Sequence, residues 1–282
     1  MRAFLRSLIY GPEKALTALD LDAIAAAAPR SSAGYDERIA LAGRIEGMFS
    51  AFSMAVLDTA LGFQSARGVT GDILEIGTFR GKCAALMAQH LRPGERLTLV
   101  DIADYLDRAA LEPLKDRIDF ILAPSDRLAS TMPGYRARRG TFRFIHIDAS
   151  HGYRETQHEL GLAEHLLGRG GIIAMDDFTN LNFAQNMAAI FHYLFTRKTD
   201  LRMFLLTYEK AYLCRKGDSD FYLKCVLEQA VPEMRGRGID AVIARTSSSR
   251  KFHPFYLRAR QAADRTSFYG EESYRAEILA GW

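Results

Sequence analysis

Two periods of apolar residues alternate along this chain. Compact apolar runs of strand length lie at residues 73–76, 97–100, 118–122, 142–147 and 172–175. Between and after them, apolar positions recur at helical spacing over 82–90, 105–114, 153–167 and 183–197. A closing pair of runs, 201–207 and 211–214, is joined by a tight turn near Tyr208-Glu209. Strands at this rhythm, separated by helices, call for an α/β fold with a mostly parallel sheet and helices on both faces. The closing pair adds one antiparallel strand, for seven in all.

The flanks read differently. Residues 1–34 are predicted helical, broken at Gly11-Pro12 and Pro29-Arg30. Leu41, Ile45, Met48, Phe52, Val56 and Leu57 then set one helix over 36–64, lying across the sheet edge. Met48, Phe49 and Phe52 read as its core face, with a lid over a ligand as the alternative. Gly170-Gly171 reads as the end of the 153–167 helix. Beyond Lys216 the rhythm changes to a helix over 221–230, a hairpin of 241–245 with 255–258 about Ser247-Ser248-Ser249, and a short helix after Ser267. The organisation expected is an N-terminal helical extension (1–70), a core (71–215) and a small C-terminal addition (216–282).

The chemistry starts where the first core strand ends. Glu75-Ile76-Gly77-Thr78-Phe79-Arg80-Gly81-Lys82 is a buried strand, a glycine-bearing tight loop and a helix start. Helix starts carry free N–H groups and a positive dipole end, and glycine lets a ligand approach the backbone. The next strand closes on Asp101 at about the 20-residue spacing at which nucleotide-binding folds place a ribose-binding carboxylate. The glycines are spaced G-x-x-x-G, not G-x-G-x-x-G, which leans away from NAD and toward S-adenosylmethionine. Ser125-Asp126, after the third strand, stands where an adenine ring would end, or caps the helix that follows.

Two further strands end in acids, at Asp148 and at Asp176-Asp177. In a parallel sheet these ends share one crevice. Three carboxylates there call for a cation, and an all-oxygen set suits Mg²⁺; Asp177 as a cap of the next segment is the alternative. His151, three residues past Asp148, overlooks the same crevice and could take a proton from a bound hydroxyl, or simply bond a loop carbonyl. His146, inside its strand, reads as a satisfied core histidine.

Composition narrows the class. A hydrophobic fraction of 48% and a charged fraction of 25% fit a globular chain. The net charge of +3 makes no case for nucleic acid, and Arg136-Ala137-Arg138-Arg139 and Arg250-Lys251 read as solvated loop charges. Cys83, Cys214 and Cys225 have no paired spacing, which suggests reduced thiols and a cytoplasmic compartment. No apolar run approaches the ~20 residues of a membrane span. Whether the chain forms a homo-oligomer stays open.

The stretch Glu75 to Gly81, with Asp101, Ser125, Asp148 and Asp176-Asp177, resembles class I S-adenosylmethionine-dependent O-methyltransferases. Ile147-Asp148-Ala149-Ser150-His151-Gly152-Tyr153, continuing to Asp176-Asp177-Phe178, looks most like the branch with macrolide-sugar O-methyltransferases and cephalosporin hydroxylase-like proteins. The resemblance covers residues 71–214. It implies a Rossmann-like sheet and a cofactor held by Glu75, Gly77, Thr78, Gly81, Asp101, Ser125 and Asp126. It also implies Mg²⁺ on Asp148, Asp176 and Asp177, with His151 and Asp148 catalytic. The activity implied is methyl transfer to a hydroxyl of a small molecule or sugar. A non-catalytic nucleotide- or glycan-binding module on the same fold is the alternative. A hydroxylase would need two histidines and a carboxylate together at an iron.

Overall fold

The computed structural model describes residues 16–18, 29–245, 254–260, 267–268, 271–272 and 277–279. Its centre is one twisted sheet. The strands are β1 (Asp72–Ile76), β2 (Leu97–Asp101), β3 (Ile118–Leu122), β4 (Phe142–Ile147), β5 (Leu167–Met175), β6 (Leu201–Leu206), β7 (Ala211–Arg215), β8 (Ala241–Arg245) and β9 (Phe255–Ala259). Their spatial order is β3-β2-β1-β4-β5-β7-β6-β9-β8. The first five run parallel. β7 enters antiparallel between β5 and β6, as the closely spaced closing pair requires.

The pleat sorts the strand residues to two faces. Ile73, Leu97, Leu99, Phe144, Ile172 and Ala174 pack with helices α2 (Ala51–Arg67), α3 (Lys82–Ala88) and α6 (Ser219–Gly236). Leu74, Ile76, Val100, Ile145, Ile147 and Ile173 pack with α4 (Tyr153–Leu166) and α5 (Ala184–Thr196). With both faces covered, the central strands are mostly apolar on both faces, which is why they appeared as compact runs.

Two departures from expectation have local causes. The single helix over 36–64 is split into α1 (Tyr35–Ala40), a 3-10 turn at Ala42–Arg44, an extended stretch, and then α2. Ser50 ends the stretch by capping α2, its Oγ accepting from the Ser53 amide at 3.1 Å. Ile45 and Phe49 stay buried while Met48 is 95% exposed. The Gly170-Gly171 pair is not a helix end. α4 passes directly into β5 at Leu167, and Gly170 takes φ +68° inside the strand, close against Val69. A register shift in the β4–β5 pairing marks the same irregularity.

The C-terminal hairpin is not separate. β9 pairs parallel with β6 and carries β8 antiparallel on its outer edge, so among the described residues the sheet has nine strands where seven were expected. Past Ser267 the described residues are short strands, Ser267–Phe268 with Glu271–Glu272 and Glu277–Leu279 with Leu16–Ala18, not a helix. The remainder of 1–28, the turn about Ser247-Ser248-Ser249, and Arg250-Lys251 lie outside the described residues. Among those described, no helix is long and apolar enough to cross a membrane.

The helical layer on the α2 side is fastened by Asp58. Its buried carboxylate accepts from Arg38 Nε at 2.6 Å and from Arg237 Nε at 2.8 Å, and lies 2.7 Å from His90 Nε2. Burial opposes this charge, but Arg38 and His90 hold the carboxyl well below its usual range. Asp58→Ala should cost about 3–5 kcal/mol, since it strands buried cations. Because the folded pKa is depressed, the wild-type margin should be full above about pH 4 and decline as pH falls further. Urea unfolding of both proteins across pH 3–7 checks this, with the difference narrowing at the acid end.

Candidate active site

A cleft of about 450 Å³ opens along the carboxyl ends of β1 to β5. Its wall takes in Glu75, Gly77, Thr78, Asp101, Ser125, Asp148, His151 and Asp176, so these predicted positions meet in one place. Gly81 and Asp177 stand beside it, at the start of α3 and next to Asp176. The broken helix adds Phe49 and exposed Met48 to the rim.

The loop after β1 is shaped by close approach. Gly77 has φ +84°, and a Cβ there would lie 1.8 Å from the Asp148 carbonyl oxygen. Only glycine lets β1 and β4 release their loops this close together. Asp101 Oδ2 then gathers the loop, accepting from the amides of Thr78 at 2.9 Å and Phe79 at 2.8 Å. A ribose hydroxyl would join a carboxylate already holding the loop. Beneath it, Glu75 Oε1 lies 3.0 Å from His146 Nδ1, while Glu75 Oε2 and Thr78 Oγ1 are buried without a hydrogen-bond partner.

Ser125 and Asp126 part company. Ser125 Oγ donates to Glu159 Oε1 at 2.6 Å, and Ser150 Oγ donates to the same oxygen at 3.0 Å. Asp126 is exposed and does not line the cleft. The reason is the 3-10 turn at Ser125–Arg127: with three residues per turn, neighbours cannot face one cleft.

The acids also divide. His151 Nε2 lies 3.5 Å from Asp177 Oδ2 and 3.8 Å from Asp148 Oδ1. These three side chains can offer ligand atoms within 4.8 Å of one another. Both His151 and Asp177 sit at φ +51°, an unusual backbone for residues with side chains. The His151 ring stacks on Phe183 at 4.2 Å, and its Nδ1 is 3.2 Å from Asn186 Nδ2. Asp176 is bound elsewhere. Its Oδ1 accepts from the Asp177 amide at 2.8 Å, and its Oδ2 accepts from the buried ammonium of Lys210.

Lys210 and Asn186 were not picked out from sequence. The signal for Lys210 was strand register: Met175 faces Ala211 across β5 and β7, so Asp176 and Lys210, one step beyond each, face one another. Alternation then puts Glu75, His146, Asp176 and Lys210 on one face of the sheet, since Glu75 pairs with His146 and His146 with Ala174.

This crowding sets the protonation states. Burial and the neighbouring Asp176 push the Asp148 carboxyl up to about 7, against the pull of Lys210 and His146. Burial works against the Asp176 charge too, but Lys210 and His146 hold that carboxyl far below its usual range. The Lys210 ammonium is raised against burial by Asp176 and Asp148. Burial pushes the Cys83 thiol up to about 12, so it stays neutral.

Among the described residues, potential ligand clusters are Glu75–Cys83–His146 and Asp148–His151–Asp177. Each has one histidine, so neither supplies the two histidines of a non-haem iron hydroxylase.

Solved structures with a similar course of the chain include cofactor-bound Rv0187 from MTB, 16% identical, covering 76% of this chain and 95% of that one, with a TM-score of 0.49. A candidate O-methyltransferase from Klebsiella pneumoniae is 16% identical over 69% of this chain and 93% of its own, with a TM-score of 0.48. CalS11, a TDP-rhamnose 3'-O-methyltransferase of calicheamicin biosynthesis, is 21% identical over 60% and 79%, with a TM-score of 0.44. No curated protein matches in sequence. The family profile described as a methyltransferase domain matches residues 74–178. Those residues run from β1 past the end of β5 and contain the glycine loop, Asp101 and the acids. This stretch is therefore similar to a methyltransferase domain.

Two outcomes test this cleft. Gly77→Ala should lose at least roughly 1–3 kcal/mol from backbone strain alone, before the overlap with Asp148 is counted; denaturant titration reads it. Asp148 has a folded pKa raised above its unfolded value, so its contribution to stability is present at low pH and lost as pH rises from about 4 to about 7. Asp148→Asn should flatten that part of the stability–pH curve; an unchanged slope would place the titration on another group.

Proposed function

We propose that this methyltransferase moves a methyl group from S-adenosylmethionine to a hydroxyl of a small molecule or sugar. The observation that carries the reading is that a donor side and an acceptor side share one cleft. The Gly77 loop with Asp101 and Ser125 forms the first, and the Asp148–His151–Asp177 group forms the second. The cofactor supplies a methyl group made electrophilic by its sulfonium. Glu75, Gly77, Thr78, Gly81, Asp101 and Ser125 are the residues that would hold it. The buried unpartnered oxygens of Glu75 and Thr78 support that fit, because they can accept bonds from a polar ligand.

The chain's own work is alignment and proton removal. Holding the hydroxyl oxygen in line with the methyl carbon can supply about 7–11 kcal/mol of the barrier. The oxygen–carbon bond forms as the carbon–sulfur bond breaks, leaving the methyl ether and S-adenosylhomocysteine. The hydroxyl proton stays with the protein.

Asn186 bears on which group takes it. Asn186 Nδ2 faces both His151 Nδ1 and the Asp176 carbonyl, while its Oδ1 accepts from Thr156 Oγ1. An amide donating to Nδ1 leaves the neutral ring's proton on Nε2, directed at Asp148 and Asp177. In this arrangement Asp148, with a pKa near 7, accepts the proton, and the Nε2–H of His151 faces Asp177 at 3.5 Å and Asp148 at 3.8 Å and orients the acids by their charge. The sequence expectation had given the proton to His151 itself. Phe183, stacked on His151, holds the ring in this orientation.

The three-carboxylate Mg²⁺ set does not fit these residues, because Asp176 already holds an ammonium. The mechanism has no step through a divalent ion.

Calorimetry with S-adenosylhomocysteine, followed by turnover on a panel of sugar and phenolic alcohols, tests the assignment. Asp148→Asn should lower kcat by about 10²–10⁴-fold with cofactor affinity kept. His151→Gln, which retains an N–H donor, should keep more of kcat than His151→Ala. Equal losses in the two histidine variants would return the proton to His151.

A further inference from the structure

Asp176 is the first residue of the double acid at the end of β5, where a hard cation was expected. It has no room for one. Lys210 Nζ is bonded to its Oδ2, and His146 Nε2 lies 3.5 Å from the same oxygen. The other oxygen takes the Asp177 amide. The ammonium is 1% exposed and lies 5.2 Å from the centre of the Phe49 ring, which closes it off on one side. A metal entering at Asp176 would have to displace a buried ammonium and leave it unpaired, the costly outcome for a buried ion.

Lys210 is also held from its backbone. Its amide donates to Thr207 Oγ1 at 3.0 Å, and its carbonyl accepts from the Thr207 amide at 2.9 Å. The neighbouring Glu209 carbonyl accepts from the Phe178 amide at 2.7 Å, tying this turn to the loop that carries Asp176 and Asp177. Glu209 Oε2 in turn accepts from Ser53 Oγ at the start of α2. The ammonium is therefore fixed by the fold against the loop that presents Asp177 to His151.

We propose that Lys210 is a built-in cation that takes the place of a divalent metal at Asp176. Asp176 serves as its anchored counter-ion and positions the Asp177 loop, and it is not a metal ligand. The negative charges gathered at this rim are balanced at Asp176 from within the chain, so acceptor and cofactor meet without a metal bridging Asp148 to Asp176. Only the activity arm of the test rests on the methyl-transfer reading.

The test uses Mn²⁺ as probe, read by electron paramagnetic resonance and by thermal shift, on the full chain. In the wild type, Asp176→Asn should leave Mn²⁺ affinity within about twofold. Lys210→Met, which keeps the length and removes the charge, should tighten Mn²⁺ binding by about 10-fold or more, and adding Asp176→Asn should abolish that gain; outer partners of metal sites commonly act on this 10–100-fold scale. Turnover of the wild type and of Asp176→Asn should respond to EDTA alike. A loss of about 10-fold or more in Mn²⁺ affinity on Asp176→Asn alone would overturn the proposal, and this arm stands even where Lys210→Met does not fold. Unchanged Mn²⁺ binding in a folded Lys210→Met protein would overturn it as well. S-adenosylhomocysteine calorimetry on the same samples reads the cofactor site separately, so a failed methyltransferase assignment shows as lost binding there and not as a metal effect.

Discussion

A buried row of alternating charges, Glu75, His146, Asp176 and Lys210, underlies the cleft and ties four strands together at their functional ends. Glu75 comes from β1, His146 from β4, Asp176 from the end of β5 and Lys210 from the start of β7. Each member is too costly to bury alone, and each is tolerable only beside the next. That mutual dependence fixes strand register at the rim more strictly than apolar packing does, because a slip of one residue would send every charge to the opposite face. The cleft residues above inherit their positions from this row. Asp177 follows directly on Asp176, and Asp148 lies two residues past His146, just beyond the same strand.

The two sides of the cleft differ in how they are built. The side proposed for the cofactor is mostly backbone: Gly77 at positive φ, amides held by Asp101, and a helix start at Gly81. The opposite side is side-chain chemistry, with Asp148, His151 and Asp177 braced by Phe183, Asn186 and Asn180. Residues 45–50 lie over the junction. Phe49 sits against both Lys210 and His146, so this stretch is coupled by contact to the buried charges beneath it.

Much of this was legible in the sequence for a definite reason. Parallel strands buried on both faces leave compact, largely apolar runs, and the residues just past those runs must gather on one rim. Gly77, Asp101, Ser125, Asp148 and Asp176 could thus be brought together without coordinates. What could not be read depended on angles or distant pairing. Ser125 and Asp126 are adjacent in sequence, yet a 3-10 turn sends them to different surroundings. Ser50 looked like one more residue of a continuous helix, although it starts a new one. Lys210 lay in a turn far along the chain, and only the antiparallel register of β5 and β7 reveals it as the partner of Asp176. β8 and β9 looked like an appendage because sheet membership depends on the β6 edge, which no local pattern specifies.

The central claim is spatial: a methyl donor and an acidic, histidine-bearing acceptor site occupy one cleft. A crystal structure of the chain soaked with S-adenosylhomocysteine tests it most directly. The account expects the ligand's ribose near Asp101, its amino-acid part over Glu75 and the Gly77 loop, and its sulfur facing Asp148 and His151. Density for the ligand away from this rim, or a sulfur directed away from Asp148, would contradict it.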